Sequence, residues 1–141
     1  MSSTHPAPET FRLPVRVYYE DTDAAGVVYY ANYLRYMERA RTEWLSSLGF
    51  DLASFERLQG VVFVVHRVEI DYRLPARLGD RVDATLTLVE LTRARMVVRQ
   101  DVRRDGDVLT AARVALACLN RSTFRPARIP AALHGRLEGL V

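Results

Sequence analysis

The chain has 141 residues, a formal net charge of +3, and 49% hydrophobic against 26% charged residues. That composition supports a folded unit with its own core, excludes a disordered chain, and gives no electrostatic case for nucleic acid. Apart from three histidines every basic side chain is arginine, which excludes lysine-based covalent chemistry, and the single cysteine, Cys118, makes neither an internal disulfide nor a cysteine zinc site.

In chain order, MSSTHPAPET has neither a basic n-region nor an apolar h-region, and reads as a flexible leader over residues 1–10. A single domain is expected over 11–141. Residues 12–20 alternate, with Val15, Val17 and Tyr19 on one side and Arg16, Tyr18 and Glu20 on the other, which predicts a strand. The acidic stretch YYEDTDAAGVVYY follows, and then the period changes. Tyr33, Met37, Ala40, Trp44 and Leu48 recur at three and four, predicting one helix of about five turns with Gly49 as its C-terminal glycine. A mixed connector is expected over Phe50 to Gly60.

Four strand patterns come next. Residues 61–73 alternate, Leu74-Pro75 and Leu78-Gly79-Asp80 interrupt, and Val82 to Leu88 resume. Thr92 to Arg95 reads as a turn, and Asp105-Gly106 as a two-residue hairpin between Met96–Arg104 and Val108–Asn120. Pro126 and Pro130 end the sheet, and a short helix closes the chain. No apolar run approaches the roughly 20 residues of a membrane helix, so a cytoplasmic, reduced protein is expected.

Strand, long helix, then four strands in hairpin succession imply an α+β hotdog fold, an antiparallel sheet of about five strands wrapped around one central helix. One copy leaves a sheet edge and part of the sheet's outer surface bare, so a dimer at least is expected.

The acidic stretch lies between the first strand and the start of the helix. A helix N-terminus offers unpaired N–H groups and partial positive charge, which can hold a developing oxyanion while a nearby carboxylate attacks or activates water. The plain alternative is an acidic helix entry favoured by the helix dipole. Spacing does not separate the two readings.

The stretch VRVYYEDTDAAGVVYYANYLRYMERARTEWL resembles the acyl-CoA thioesterases of the hotdog superfamily, in particular the Tol–Pal-associated branch and 4-hydroxybenzoyl-CoA thioesterase. FVVHRVEIDYRLPARLGD and NRSTFRPARIP match more weakly, and the resemblance runs from about Leu13 to Pro130. It implies hydrolysis of an acyl-CoA, short-chain aliphatic or aromatic, to free acid and CoA, without metal or organic cofactor. It makes Asp23 the catalytic carboxylate, Gly26 the motif glycine, and Tyr30 the residue whose backbone N–H points at the thioester carbonyl. Val27 and Tyr29, in the same motif, are expected to contact substrate. Many members of the Tol–Pal-associated branch carry histidine where this chain has Tyr30, which keeps the backbone donor and removes any imidazole role. The family also implies a dimer of dimers with sites at subunit interfaces.

Arg93 and Arg95, in the predicted turn, are candidates for the phosphates of CoA, because the planar guanidinium holds two oxygens at once. Asp21 reads as loop support, Glu38 as a second candidate acid, and Glu43 as a solvated helix charge. His66 reads as a packed or edge histidine and Cys118 as an inert buried thiol. Two rival functions are a hotdog dehydratase, which would use a histidine near the helix start, and a non-catalytic acyl-thioester scaffold.

Overall fold

The computed structural model describes residues 10–141; the expected leader lies outside the described residues except for Thr10. Strand β1 (Phe11–Arg16) is followed by a short 3-10 turn at Tyr19–Asp21 and by helix α1 (Asn32–Ser47). Then come α2 (Leu52–Gln59), β2 (Val61–Tyr72), β3 (Arg81–Leu91), β4 (Arg95–Arg104), β5 (Asp107–Asn120) and α3 (Ala131–Glu138). The five strands form one antiparallel sheet in the order β1-β3-β4-β5-β2. This is the expected α+β hotdog arrangement.

Three expectations change. The first strand stops at Arg16, because the Tyr18 N–H turns in to donate to Asp21 Oδ2 at 2.8 Å and the chain enters the 3-10 turn. The expected connector is largely helix, α2, capped by Asp51 Oδ2 accepting from Ser54 N–H and ended by Gly60 at φ 68°. Asp51 with Ser54 is a helix-start signal that a short, mixed sequence hides. Finally, the four later strands are not all in hairpin succession. β3, β4 and β5 are, with Asp105 and Gly106 at φ 50° and 89° making the expected tight turn. β2 instead pairs with β5 at the far edge of the sheet. The segment 73–80 therefore carries the chain across the sheet, from the β2 edge to β3 beside β1.

Helix α1 lies across the inner face of β1, β3 and β4. It presents Tyr33, Tyr36, Met37, Ala40 and Trp44 to Leu86, Leu88, Val98 and Val102, all of them buried. One buried polar residue ties helix to sheet: Gln100 Nε2 donates to the Met37 carbonyl at 2.8 Å, while its Oε1 accepts from Arg41 at 2.9 Å. Burial lowers the Arg41 pKa, and the Glu38 carboxylate partly offsets this. Leu133 and Leu137 of α3 complete the core.

The helix leaves the β2 end of the inner face uncovered. Val65 and Val68 point to that face, as their register with Leu116 and Val114 requires, yet are 43% and 37% exposed. The outer edge of β2 has no strand partner among the described residues. The other edge strand, β1, is short and carries Pro14, both of which discourage pairing with a further strand. β2 has twelve residues and no proline.

Candidate active site

Between β1 and α1 the chain folds into a small hydrogen-bonded loop. The Asp23 N–H donates to Val27 O at 2.9 Å and the Gly26 N–H to Asp23 O at 3.0 Å, with a bridge between Thr22 and Val28 behind them. This is a tight turn from Asp23 to Gly26, with Gly26 at φ +77° in the left-handed region that closes such turns. A Cβ on Gly26 would meet no atom within 4 Å, so in this chain the glycine answers a backbone requirement and not a close approach. Asp23 opens the turn, and its Oδ1 accepts the Ala25 N–H at 2.8 Å. That bond fixes the carboxylate. The residue is exposed, and Oδ2 has no protein donor among the described residues.

Asp21 is used differently. Its side chain holds the Tyr18 N–H, and its carbonyl accepts both the Tyr29 N–H at 2.9 Å and Asn32 Nδ2 at 2.8 Å. The acid loop and the helix start are thus one hydrogen-bonded unit. Beneath them lies the 73–80 segment: Ala76 O accepts the Val28 N–H, and the Ala76 N–H donates to the Tyr33 hydroxyl at 3.0 Å. Val27 bridges to Arg77 in the same segment.

Helix α1 begins without a capping side chain at Ala31. The N–H groups of Tyr30 and Ala31 find no acceptor among the described residues, while Asn32 N–H already bonds Tyr29 O. Two free backbone donors therefore stand at the positive end of the helix, next to the loop that carries Asp23. Beside them is a cleft of about 270 Å³ walled by Val28, Tyr30, Tyr33, Tyr72, Leu74 and Pro75, with Arg73 at its rim. The rings of Tyr30 and Tyr33 meet Tyr72 edge-on at 6.1 and 5.7 Å, and Tyr29 lies 4.8 Å from Tyr30. Tyr72, Leu74 and Pro75 went unassigned from sequence, although they fall inside the weaker matching stretch IDYRLPARLGD.

Asp23, Gly26, Val27, Tyr29 and Tyr30 are brought together. Arg93 and Arg95 are not. They follow β3, whereas the acid loop packs against residues 76–80 just before it. At about 3.3 Å per residue along β3, the two ends stand roughly 30 Å apart. A pantetheine arm of about thirteen bonds spans roughly 15 Å when extended. One copy's Arg93 and Arg95 are therefore beyond the diphosphate of a CoA whose thioester sits at the same copy's Asp23. Neither arginine has a carboxylate within ion-pair distance among the described residues. The Ile129 N–H donates to Arg93 O, which sets the exposed Arg128 beside Arg93, with Arg121 and Arg125 on the preceding loop.

The other candidates separate cleanly. Glu38 lines a different cleft, with Arg41, Thr42 and Glu56, and Glu43 is exposed. His66 is the extra residue of a bulge in edge strand β2. His134 bridges Glu138 and Thr92 O at the arginine end. Neither reaches the helix start, and His5 lies outside the described residues. Cys118 is buried, and burial pushes its thiol up to about 11, far from a reactive thiolate.

Comparison with known proteins decides the family. Residues 25–111 match the profile of the thioesterase superfamily. The chain is 41% identical over 120 residues to the acyl-CoA thioesterase YbgC of Haemophilus influenzae, covering 85% of this chain and 88% of that protein. This chain belongs to the thioesterase superfamily. It is also 33% identical over 119 residues to a 1,4-dihydroxy-2-naphthoyl-CoA hydrolase of Synechococcus elongatus, covering 84% and 88%. A probable thioesterase from Bartonella henselae superposes with a TM-score of 0.82 at 32% identity, over 86% of this chain and all (100%) of that one. The DHNA-CoA thioesterase of Staphylococcus aureus superposes with a TM-score of 0.86 at 26% identity, over 92% and 89%. The superfamily profile begins two residues after Asp23, so the carboxylate rests on the loop geometry and on the motif around it.

Proposed function

We propose that this member of the thioesterase superfamily hydrolyses acyl-CoA with Asp23 as its catalytic carboxylate and the Tyr30 N–H as oxyanion donor. Hydrolysis of an acyl-CoA thioester is the reaction class of the family; the assignment of roles is our reading. Water adds to the thioester carbon, the C–S bond breaks, and free acid and CoA leave. Asp23 either takes the proton of the attacking water or attacks first itself, giving a mixed anhydride that water then opens. In both routes negative charge gathers on the former carbonyl oxygen. The observation that carries the reading is the pairing of a fixed, exposed carboxylate with unfilled N–H groups at a helix start, held in one bonded unit. An oxyanion donor contributes roughly 10²–10³ in rate and a positioned base about 10²–10⁴. Both rival readings give this geometry no use: the dehydratase lacks its histidine at the helix start, and a scaffold needs no fixed carboxylate there.

The acyl group occupies the tyrosine-walled cleft, and Val27 and Tyr29, next in the chain to its walls Val28 and Tyr30, contact the substrate outside it. Arg93 and Arg95 take the CoA phosphates from a second copy of the chain, since those of the same copy stand too far away. The free edge of β2 and the exposed Val65 and Val68 support assembly to a dimer through β2, and the family resemblance implies a dimer of dimers. Residues 11–141 act as one domain. No helix among the described residues is long and apolar enough to cross a membrane. We place the protein in the cytoplasm because acyl-CoA is made and used there.

Replacing both Arg93 and Arg95 by alanine tests the nucleotide half of this reading. Well-made hydrogen bonds to charged groups contribute about 1.5–3 kcal/mol, less when exposed. KM for an acyl-CoA should rise about ten-fold or more with kcat spared, and KM for the matching acyl-pantetheine should stay unchanged. Equal effects on both substrates would show that these arginines support structure and hold no phosphate.

A further inference from the structure

Tyr72, at the end of β2, donates its hydroxyl to the Tyr30 carbonyl at 3.3 Å, across 42 positions of sequence. We infer that Tyr72 is a positioning residue for the second free donor of the oxyanion site, the Ala31 N–H, holding the peptide that joins Tyr30 to Ala31 in register with Asp23. The inference rests on the catalytic reading proposed above and adds to it a second donor, the Ala31 N–H beside that of Tyr30, and the residue that aims it.

That peptide needs an external hold. Helix α1 has no capping side chain at Ala31, so no cap fixes the direction of the free N–H groups ahead of Asn32. Asp21 O secures the residues on either side, through Tyr29 N–H and Asn32 Nδ2, but makes no bond to the 30–31 peptide itself. Among the described residues, the other hydrogen bond to Tyr30 O comes from Tyr33 N–H at 3.4 Å. The Tyr72 hydroxyl at 3.3 Å and the Tyr33 N–H at 3.4 Å are thus two long bonds on this carbonyl, and Tyr72 supplies the one that comes from outside the helix. It also acts electronically: a hydrogen bond accepted at the carbonyl polarises the amide and strengthens the Ala31 N–H as a donor.

The ring of Tyr72 is itself held. It meets the Tyr30 ring at 85° and the Tyr33 ring at 60°, while the Tyr33 hydroxyl accepts the Ala76 N–H. Burial, followed by the neighbouring Tyr30 and Tyr33, raises the Tyr72 pKa above its ordinary 10.0, so the hydroxyl stays protonated as the donor this bond requires. β2 thereby reaches from the far edge of the sheet to the start of α1. It is the only strand that places a side-chain donor there among the described residues.

Tyr72→Phe separates positioning from packing, because it keeps the ring and removes the hydroxyl. With one hydrogen bond lost, kcat should fall about three- to ten-fold while KM stays within about twofold. The kcat ratio should be the same for acyl-CoA and acyl-pantetheine, and the thermal midpoint should stay close to wild type. Wild-type kcat in Tyr72→Phe would overturn the inference. So would an effect confined to KM, which marks a pocket wall, or a loss of activity matched by a loss of thermal stability, which marks a structural role. The parent reading fails separately: it falls if Asp23→Asn keeps its kcat, and it stands if that variant is inactive while Tyr72→Phe is unimpaired.

Discussion

Asp23 and Asp21 are two positions apart and are held in different ways. Asp21 is spent on structure, its carboxylate on Tyr18 N–H and its carbonyl on Tyr29 and Asn32. The Asp23 carboxylate accepts one bond among the described residues, from Ala25 N–H, and keeps an oxygen for chemistry. Asparagine at position 21 retains an acceptor for Tyr18 N–H, so that change touches the scaffold lightly. Asparagine at 23 retains the acceptor for Ala25 as well, and so removes the charge while sparing the turn. Gly26 is the residue that shapes the loop. Alanine there meets no steric obstacle but must occupy φ +77°, at a cost of about 1 kcal/mol. Gly26→Ala should lower Tm by a few degrees, which calorimetry reads directly, and an unchanged Tm would show that the turn relaxes without strain.

At the scale of elements, the site depends on the 73–80 segment packed under the acid loop. Asp80 locks that segment: its Oδ2 accepts from Arg77 N–H at 2.8 Å and from Arg104 at 2.6 Å, while Val17 and residues 79–80 exchange backbone bonds. Burial alone would raise the Asp80 carboxyl, but the Arg77 N–H and then the Arg104 guanidinium outweigh it and hold the carboxyl below its ordinary 3.8. A depressed carboxyl stabilises the fold above its unfolded pKa and loses that contribution as pH falls through the lower folded value. Arg104→Ala should therefore cost about 1 kcal/mol at neutral pH. The difference from wild type should vanish in denaturant titrations carried well below pH 4, and a pH-independent difference would assign the loss to packing.

This segment also marks how far the sequence could be read. Regular alternation in β3, β4 and β5, the Asp105-Gly106 turn and the stripe from Tyr33 to Leu48 carry their structure locally, and they appear as expected. The motif around Asp23 is local too, so its five residues come together. The pairing of β2 with β5 is not local: it depends on where residues 73–80 cross the sheet, and no period in the chain encodes that. Tyr72 was missed for the same reason, because its partner Tyr30 is brought to it only by that crossing. The distance from Arg93 to Asp23 likewise becomes visible only once β3 lies between them.

At the scale of the whole molecule, a single copy holds a complete acid loop but keeps Arg93 and Arg95, which have no carboxylate partner among the described residues, at the opposite end of the sheet. If Arg93 and Arg95 hold the CoA phosphates as proposed, the active assembly brings one copy's acid loop near another copy's arginines. The wild-type protein should sediment as a dimer or larger at micromolar concentration, and Val68→Asp should shift it toward monomer with a parallel loss of acyl-CoA turnover. A wild-type monomer with full activity would exclude shared sites. The most direct measurement is thiol release from acyl-CoA under saturating substrate by wild type, Asp23→Asn and Asp21→Asn, each confirmed to keep its assembly and Tm. The account predicts that Asp23→Asn loses at least about a hundred-fold in kcat while Asp21→Asn loses far less. Comparable kcat in Asp23→Asn and wild type would contradict it.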